Sequence, residues 1–423
     1  MSEPSAYVHL DLNGVTRRVG RLWASNKGHE TATFEYDGDW LADPRHFALE
    51  PALPSGIAPY HTAPGRPLFG AIGDSAPDRW GRTLLRRAEA RRARAERRTP
   101  RTLREIDYLL GVSDVLRQGA LRFSSAPDGP FLAEMQESNV PPLVELPRLL
   151  TASDKTLAKK ESLADLRLLL APGSSLGGAR PKASVRDKDG TLLVAKFSSP
   201  DDDIHVVRWE AVAFDLAERA GLAVPAWRLT HSGSHDVLLT RRFDRRATTR
   251  VPFLSAMSLL DAGEGEQRSY VEIAEALRQF GAAPRADLPA LWRRLVFNIL
   301  MSNLDDHLRN HGVLYEDPGW RLAPAYDLNP VPLDVKPRIL STSADVDGDD
   351  AASLELALAA AAHFGLRPNE ARSIAGETAR AVRRWRATAA KHSIASPEIE
   401  RMASAFEHAD ATTARRWSGS PPN

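Results

Sequence analysis

Alternating apolar and polar positions mark the first element of the chain. Tyr7 to Leu12 and Thr16 to Trp23 flank Asn13-Gly14 and predict a hairpin that opens a β-rich N-terminal segment. Proline and glycine crowd the stretch from Pro51 to Gly73. From Arg79 to Arg98 the apolar residues Trp80, Leu84, Leu85, Ala88 and Ala95 fall at partly helical spacing, and Ser124 to Gly129 reads as a link. Two apolar runs, Ala183 to Arg186 and Leu192 to Phe197, are joined by Asp189-Gly190, a hairpin turn signal. Val206, Trp209, Ala213, Leu216 and Ala217 then recur at helical spacing, and Asp236 to Asp244 reads as a buried strand with a polar exit. Beyond Gly263 the periodicity is helical over Tyr270 to Phe280, Leu288 to Met301, Ala351 to Phe364 and Asn369 to His392. One interruption is a predicted β-hairpin, Val313 to Tyr315 and Trp320 to Ala323 around Glu316 to Gly319. No internal repeat is visible.

Composition narrows the class. The 423 residues have room for two or three domains; 43% are hydrophobic and 26% charged, and no apolar run approaches the roughly 18 residues of a membrane span. The alanine-rich stretch Leu354 to Ala362 is short and flanked by charge, so it reads as a packed helix. The N-terminus, MSEPSAYVHL, is polar and lacks a basic segment followed by an apolar core, so a cytoplasmic protein is expected. The absence of cysteine excludes disulfides, thiolate catalysis and thiolate zinc sites, and suits a reducing compartment. A net charge of +1 excludes a generally basic nucleic-acid binder, yet residues 79–104 hold eleven Arg against two Glu. That run is either a solvated helix face or a surface that contacts phosphates or tRNA. The acidic segment Asp345 to Asp350 is either a solvated loop or a metal site.

The chemistry concentrates in Asn303 to Asp327. Asp305 and Asn310 are five apart, and Asp327 follows the predicted hairpin, which is the spacing of a phosphoryl-transfer site. There an Asp accepts the substrate hydroxyl proton, while the Asn and the second Asp hold magnesium. Two other readings stay open. Asp305 and Asp306 can serve as loop caps with Asp327 starting a turn, or Asp305, Asp306, His307 and His311 can be metal ligands of a hydrolase. Upstream, Ser174 to Lys182 is a small-residue loop whose glycines let backbone amides approach phosphates. Lys196, in the apolar run Leu192 to Phe197, calls for an anionic partner or else snorkels to water from an edge strand. Glu210, on the following helix, is a candidate partner for it or a residue at the border of the buried stripe.

In the order glycine loop, lysine strand, glutamate helix, catalytic loop and metal segment, the chain resembles the HipA-type serine/threonine kinase toxins of bacterial type II toxin–antitoxin modules. The motifs are SLGGARPK at 175–182, LLVAKF at 192–197, RRFDR at 241–245, NLDDHLRN at 303–310 and AYD at 325–327, with weaker similarity at APDRWGRTLL, 76–85. The resemblance implies an α+β, protein-kinase-like (PI3K/HipA-like) two-lobed fold with a β-rich N-terminal subdomain and an all-α C-terminal lobe. It divides the chain into 1–128, a nucleotide-binding region 129–262 and a helical catalytic lobe 263–423. Asp305 would be the catalytic base, with Asn310 and Asp327 binding Mg2+. Gly177, Gly178, Ala179, Arg180, Pro181 and Lys182 would cover the phosphates of ATP. Lys196 would contact those phosphates, with Glu210 as its partner, and Arg241, Arg242 and Phe243 would meet the adenine through main-chain groups. His307 and Asn310 also fall among the nucleotide-binding positions. Ser175, or its neighbour Ser174, falls where the family autophosphorylates. The implied partners are a protein substrate, an aminoacyl-tRNA synthetase, and a helix-turn-helix antitoxin of the HipB type that links the kinase to operator DNA; no membrane is involved. The alternatives are a small-molecule kinase of the aminoglycoside or choline kind and a non-catalytic nucleotide-binding co-repressor.

Overall fold

The computed structural model describes residues 4–25, 28–133, 140–170, 180–199 and 202–417. The chain divides into two compact units, Met1–Pro200 with Thr230–Leu254, and Asp201–Leu229 with Ser255–Asn423.

The first unit opens with a five-stranded sheet built from β1 (Ser5–Leu12), β2 (Val15–Ser25), β3 (Thr31–Tyr36), β4 (Tyr60–His61) and β5 (Leu121–Ser124). Its order is β4-β3-β2-β1-β5. The β1–β2 hairpin turns through Asn13 and Gly14, both at positive φ, the geometry that Asn-Gly supplies with least strain. Helix α1 (Arg79–Ala95) starts where Asp78 Oδ1 accepts from the Gly81 amide at 2.8 Å, an ordinary N-cap. It buries Trp80, Leu84 and Ala88 as its spacing predicts, and Ala93 as well, whereas Ala95 is exposed. Of the arginines in and after α1, Arg82 pairs with Glu105, Arg87 and Arg91 with Glu161, and Arg98 with Glu89.

A second sheet follows, made of β6 (Lys182–Arg186), β7 (Leu192–Phe197), β8 (Trp227–Ser232) and β9 (His235–Arg241) in the order β6-β7-β9-β8. Leu193, Ala195 and Phe197 alternate onto one face of β7 and join a core with Trp80, Leu84 and Ala88 of α1. Leu149 and Leu150 of α2 (Leu146–Leu157), and Leu166 and Leu169 of α3 (Leu163–Leu170), complete that core. By the same alternation Lys196 stands on the opposite face of β7.

The second unit is largely helical. It contains α4 (Val206–Arg219), α5 (Tyr270–Phe280), α6 (Pro284–Leu300), α7 (Leu354–Ala359), α8 (Pro368–Val382) and α9 (Trp385–Lys391). The hairpin is β10 (Gly312–Glu316) with β11 (Gly319–Leu322). Helix α6 is its spine, burying Leu288, Leu291, Trp292, Leu295, Val296, Phe297, Ile299 and Leu300. Two sequence expectations change here. The helix expected over Ala351 to Phe364 tightens into a 3-10 turn at Ala360–Phe364 and stops at Gly365, at φ +71. The helix expected over Asn369 to His392 breaks after Val382, and Trp385 turns inward to stack on Phe406 with ring centroids 4.6 Å apart. Among the described residues no helix is long and apolar enough to cross a membrane.

Candidate active site

The candidate catalytic loop begins where α6 ends. Ser302 follows at φ +51, a conformation that costs a non-glycine residue energy and turns the chain sharply out of the helix. Asp305 then lies exposed, Asp306 is fully buried, His307 is half-buried and Asn310 is buried within a single 3-10 turn, Leu308–Asn310. The Asn310 side-chain Nδ2 donates to the Asp305 carbonyl at 2.7 Å, which closes the loop and fixes the orientation of the amide. With Nδ2 committed, the Asn310 Oδ1 is left as an acceptor. Asp327, two residues after buried Ala325, sits at φ +57, a left-handed conformation that Asp tolerates better than most residues.

Three contacts tie the Asp327 segment to the loop. Tyr326 donates its hydroxyl to the Arg309 carbonyl at 2.8 Å, the Asn329 amide donates to Asn303 Oδ1 at 3.0 Å, and the Val331 amide donates to the Ser302 carbonyl at 2.9 Å. Asn329 Nδ2 reaches Asp327 Oδ1 at 3.3 Å, while its own Oδ1 is buried without a partner among the described residues. The structure therefore gathers Asp305, Asn310 and Asp327 on two interlocked segments. Carboxylate and amide oxygens of this kind suit a hard divalent cation.

Beneath the loop runs a buried polar network that sequence reasoning missed. Asp306 accepts from the Tyr270 hydroxyl at 2.8 Å and from the Ser341 amide at 2.9 Å. The Thr342 hydroxyl donates to the Asp306 carbonyl at 2.7 Å, and His311 Nε2 meets the same carbonyl at 3.0 Å. Asn298 on α6 donates to Tyr270, and Asn303 donates to Asn298. Burial pushes the Asp306 carboxyl up to about 6, against the opposing pull of the Tyr270, Ser341 and Thr342 donors. Burial also pushes His311 down to about 3, with the Arg294 charge adding to it, so the ring is neutral. Asp306 and His311 are thus occupied in holding the loop, which speaks against the hydrolase ligand set. The only available sequence signal was a polar residue inside an apolar helix stripe, as at Asn298 within Leu295 to Leu300.

The nucleotide-side candidates lie mostly in the first unit. Ser174, Ser175, Gly177, Gly178 and Ala179 lie outside the described residues. Arg180 is exposed and Pro181 buried; Lys182 and Lys196 stand directly opposite one another across β6 and β7. Two cations facing each other would repel. The Lys182 ammonium is instead neutralised by Asp78 Oδ2 at 2.9 Å, in a pair that is almost entirely buried. Lys196 is half-buried, and Glu210 on α4 of the second unit is buried.

In the RRFDR motif the side chains have a use of their own. Arg242 is buried and pairs with Asp244 at 2.5 Å, and Arg245 reaches the same carboxylate at 2.8 Å. Arg242 also donates to the carbonyls of Leu116 and Arg117, and Arg245 to those of Arg117 and Gly119. The Gly119 amide returns a bond to Asp244 at 2.8 Å; its φ of +72 is the reason a glycine stands there. Burial alone would raise Asp244, but the two guanidinium groups outweigh it and hold the carboxyl well below its usual range. The same burial lowers Arg245 to about 9, which leaves it protonated at neutral pH.

One unit carries the four-stranded sheet that holds Lys196, and the other, largely helical, carries Asp305 and Asn310 on one loop and Asp327 on the segment tied to it. The HipA N-terminal domain matches residues 10–106 and the HipA-like C-terminal domain matches residues 174–385. The chain belongs to the HipA family. Among solved structures it is similar to HipA of Shewanella oneidensis MR-1, solved as a toxin–antitoxin complex of HipA, HipB and operator DNA. The two are 18% identical, with a TM-score of 0.67 over 98% of this chain and 97% of the other. Among curated proteins it is similar to the Sinorhizobium fredii protein named "Putative kinase Y4mE", 27% identical over 333 residues, which are 71% of this chain and 72% of that one.

Proposed function

We propose that this chain is an ATP- and Mg2+-dependent serine/threonine protein kinase acting as the toxin of a type II toxin–antitoxin module. The observation that carries the reading is the pairing of an exposed Asp305 with a loop closed by its own Asn310 and tied to the Asp327 segment. In this reading the Asp305 carboxylate takes the proton of the substrate hydroxyl, its exposure leaving it open to a protein side chain. Asn310 Oδ1 and the Asp327 carboxylate hold Mg2+, which when bound offsets charge on the transferred phosphoryl group. Lys196 and the loop through Lys182 hold the phosphates, Glu210 orients Lys196, His307 lines the nucleotide site, and the main chain of Arg241 to Phe243 meets the adenine. The side chain of Arg242, paired to Asp244, stiffens that strand from behind.

The substrate in this reading is an aminoacyl-tRNA synthetase, the antitoxin a HipB-type helix-turn-helix protein that binds operator DNA, and the autophosphorylated residue Ser175 or Ser174. The test is incubation of the purified protein with Mg2+ and labelled ATP, alone and with a bacterial lysate, with labelled sites mapped by mass spectrometry. Label on Ser174 or Ser175 and on one lysate protein is expected. Asp305→Asn lowers the rate by roughly two to four orders of magnitude while leaving thermal stability unchanged. Label confined to small molecules, or a variant as active as the wild type, overturns the assignment.

A further inference from the structure

A cavity of about 500 Å³ lies in the second unit, away from the catalytic loop in sequence and lined by Arg219, Arg293, Arg380, Arg384, Glu377 and Gly221 with two alanines. The C-terminal end of α4 and the turn after it, the middle of α6, the end of α8 and the start of α9 supply these residues. Arg219 and Arg293 are held in place by the protein. Arg219 pairs with Asp215 at 2.7 Å, and Arg293 bridges the Ala220 carbonyl at 2.8 Å and Glu377 at 2.9 Å. Asp215 is itself shared with Lys391 at 2.7 Å, so its single negative charge is divided between two cations. Arg384 is exposed, and its side chain makes no hydrogen bond or ion pair among the described residues.

Four guanidinium groups and one carboxylate line this one concavity, an excess of positive charge in its lining. Guanidinium forks match phosphate oxygens and keep their charge at any ordinary pH. The volume falls within the roughly 300–1,000 Å³ of small-molecule sites, so it admits more than a single tetrahedral anion. No aromatic ring lines it, which leaves nothing for a nucleobase to stack on. We propose that this cavity binds a compact oligophosphate anion, with Arg219 and Arg293 as the pre-set part of the site and Arg384 as the residue that closes on the ligand. The site shares no residue with the kinase reading and stands independently of it.

The probe is inorganic tripolyphosphate, titrated calorimetrically without divalent cations at fixed ionic strength into Lys196→Ala, which removes the phosphate contact proposed for the nucleotide side. Binding at one site is expected to persist there, to weaken about tenfold on adding Arg384→Ala, and to weaken further with Arg384→Glu. Arg384 is exposed, so both variants should fold, which thermal unfolding checks. Citrate, a carboxylate anion of similar charge, should bind at least tenfold more weakly. Equal affinity for citrate, an Arg384 variant that binds tripolyphosphate as its parent does, or loss of all binding on Lys196→Ala alone overturns the proposal.

Discussion

Two fully buried aspartates, Asp244 in the first unit and Asp306 in the second, differ in what surrounds them. Asp244 faces two guanidinium groups and stays ionised; Asp306 faces a phenol and main-chain amides, and its carboxyl rises to about 6. Burial acts alike on both, so the partners decide the outcome: formal charge fixes protonation, whereas neutral donors leave it close to balance. The first arrangement is a permanent brace, and the second is a support whose strength depends on acidity.

The sharpest way to break this contrast is Asp244→Asn. It leaves Arg242 and Arg245 buried without their carboxylate and should cost about 3–5 kcal/mol in denaturant unfolding, unchanged in size between pH 5 and pH 8. A loss below about 1 kcal/mol means the cluster is not coupled to the fold. Asp306→Asn tests the other side. A carboxyl raised in the folded state contributes stability that is complete below its unfolded value and is lost as pH rises through about 6. The wild type should therefore lose roughly 1–2 kcal/mol from this group between pH 5 and pH 8, and the deficit of Asp306→Asn should narrow by the same amount. A deficit constant with pH shows that Asp306 is ionised throughout. Smallest is Tyr270→Phe, which removes one donor to Asp306 and the acceptor for Asn298, at about 1 kcal/mol by thermal unfolding. It should also steepen the pH dependence of stability, because the lost donor favours the charged carboxylate. An unaltered pH profile disconnects the phenol from the carboxyl.

The parts legible in the sequence were those written locally. Asn13-Gly14 and Asp189-Gly190 announced their turns, the α5 periodicity matched Tyr270–Phe280, and the interval from Asp305 to Asn310 is a distance along the chain. What could not be read depended on residues brought together by folding. Tyr270 meets Asp306 across 36 positions, and Asn303 meets Asn329 across 26. Asn298 looks like a flaw in an apolar stripe until Tyr270 and Asn303 are seen beside it. The break between α8 and α9 was equally hidden: no helix-breaking residue marks it, and Trp385 just beyond it stacks on Phe406. RRFDR was read for its main chain alone; its arginines answer to carbonyls near residue 117, which no spacing within the motif discloses.

Those arginines also bear on how the gene product can be shortened. Leu116, Arg117 and Gly119 supply the carbonyls that Arg242 and Arg245 require, so the leading segment acts as the missing wall of the sheet that carries Lys196. A polypeptide trimmed to begin beyond Gly119 keeps Asp244 for Arg242 and Arg245 but removes their carbonyl partners and opens the core that Trp80, Leu84 and Ala88 fill. Heredity can therefore exchange the opening sheet of this chain for another only if it carries the same loop of carbonyls with it.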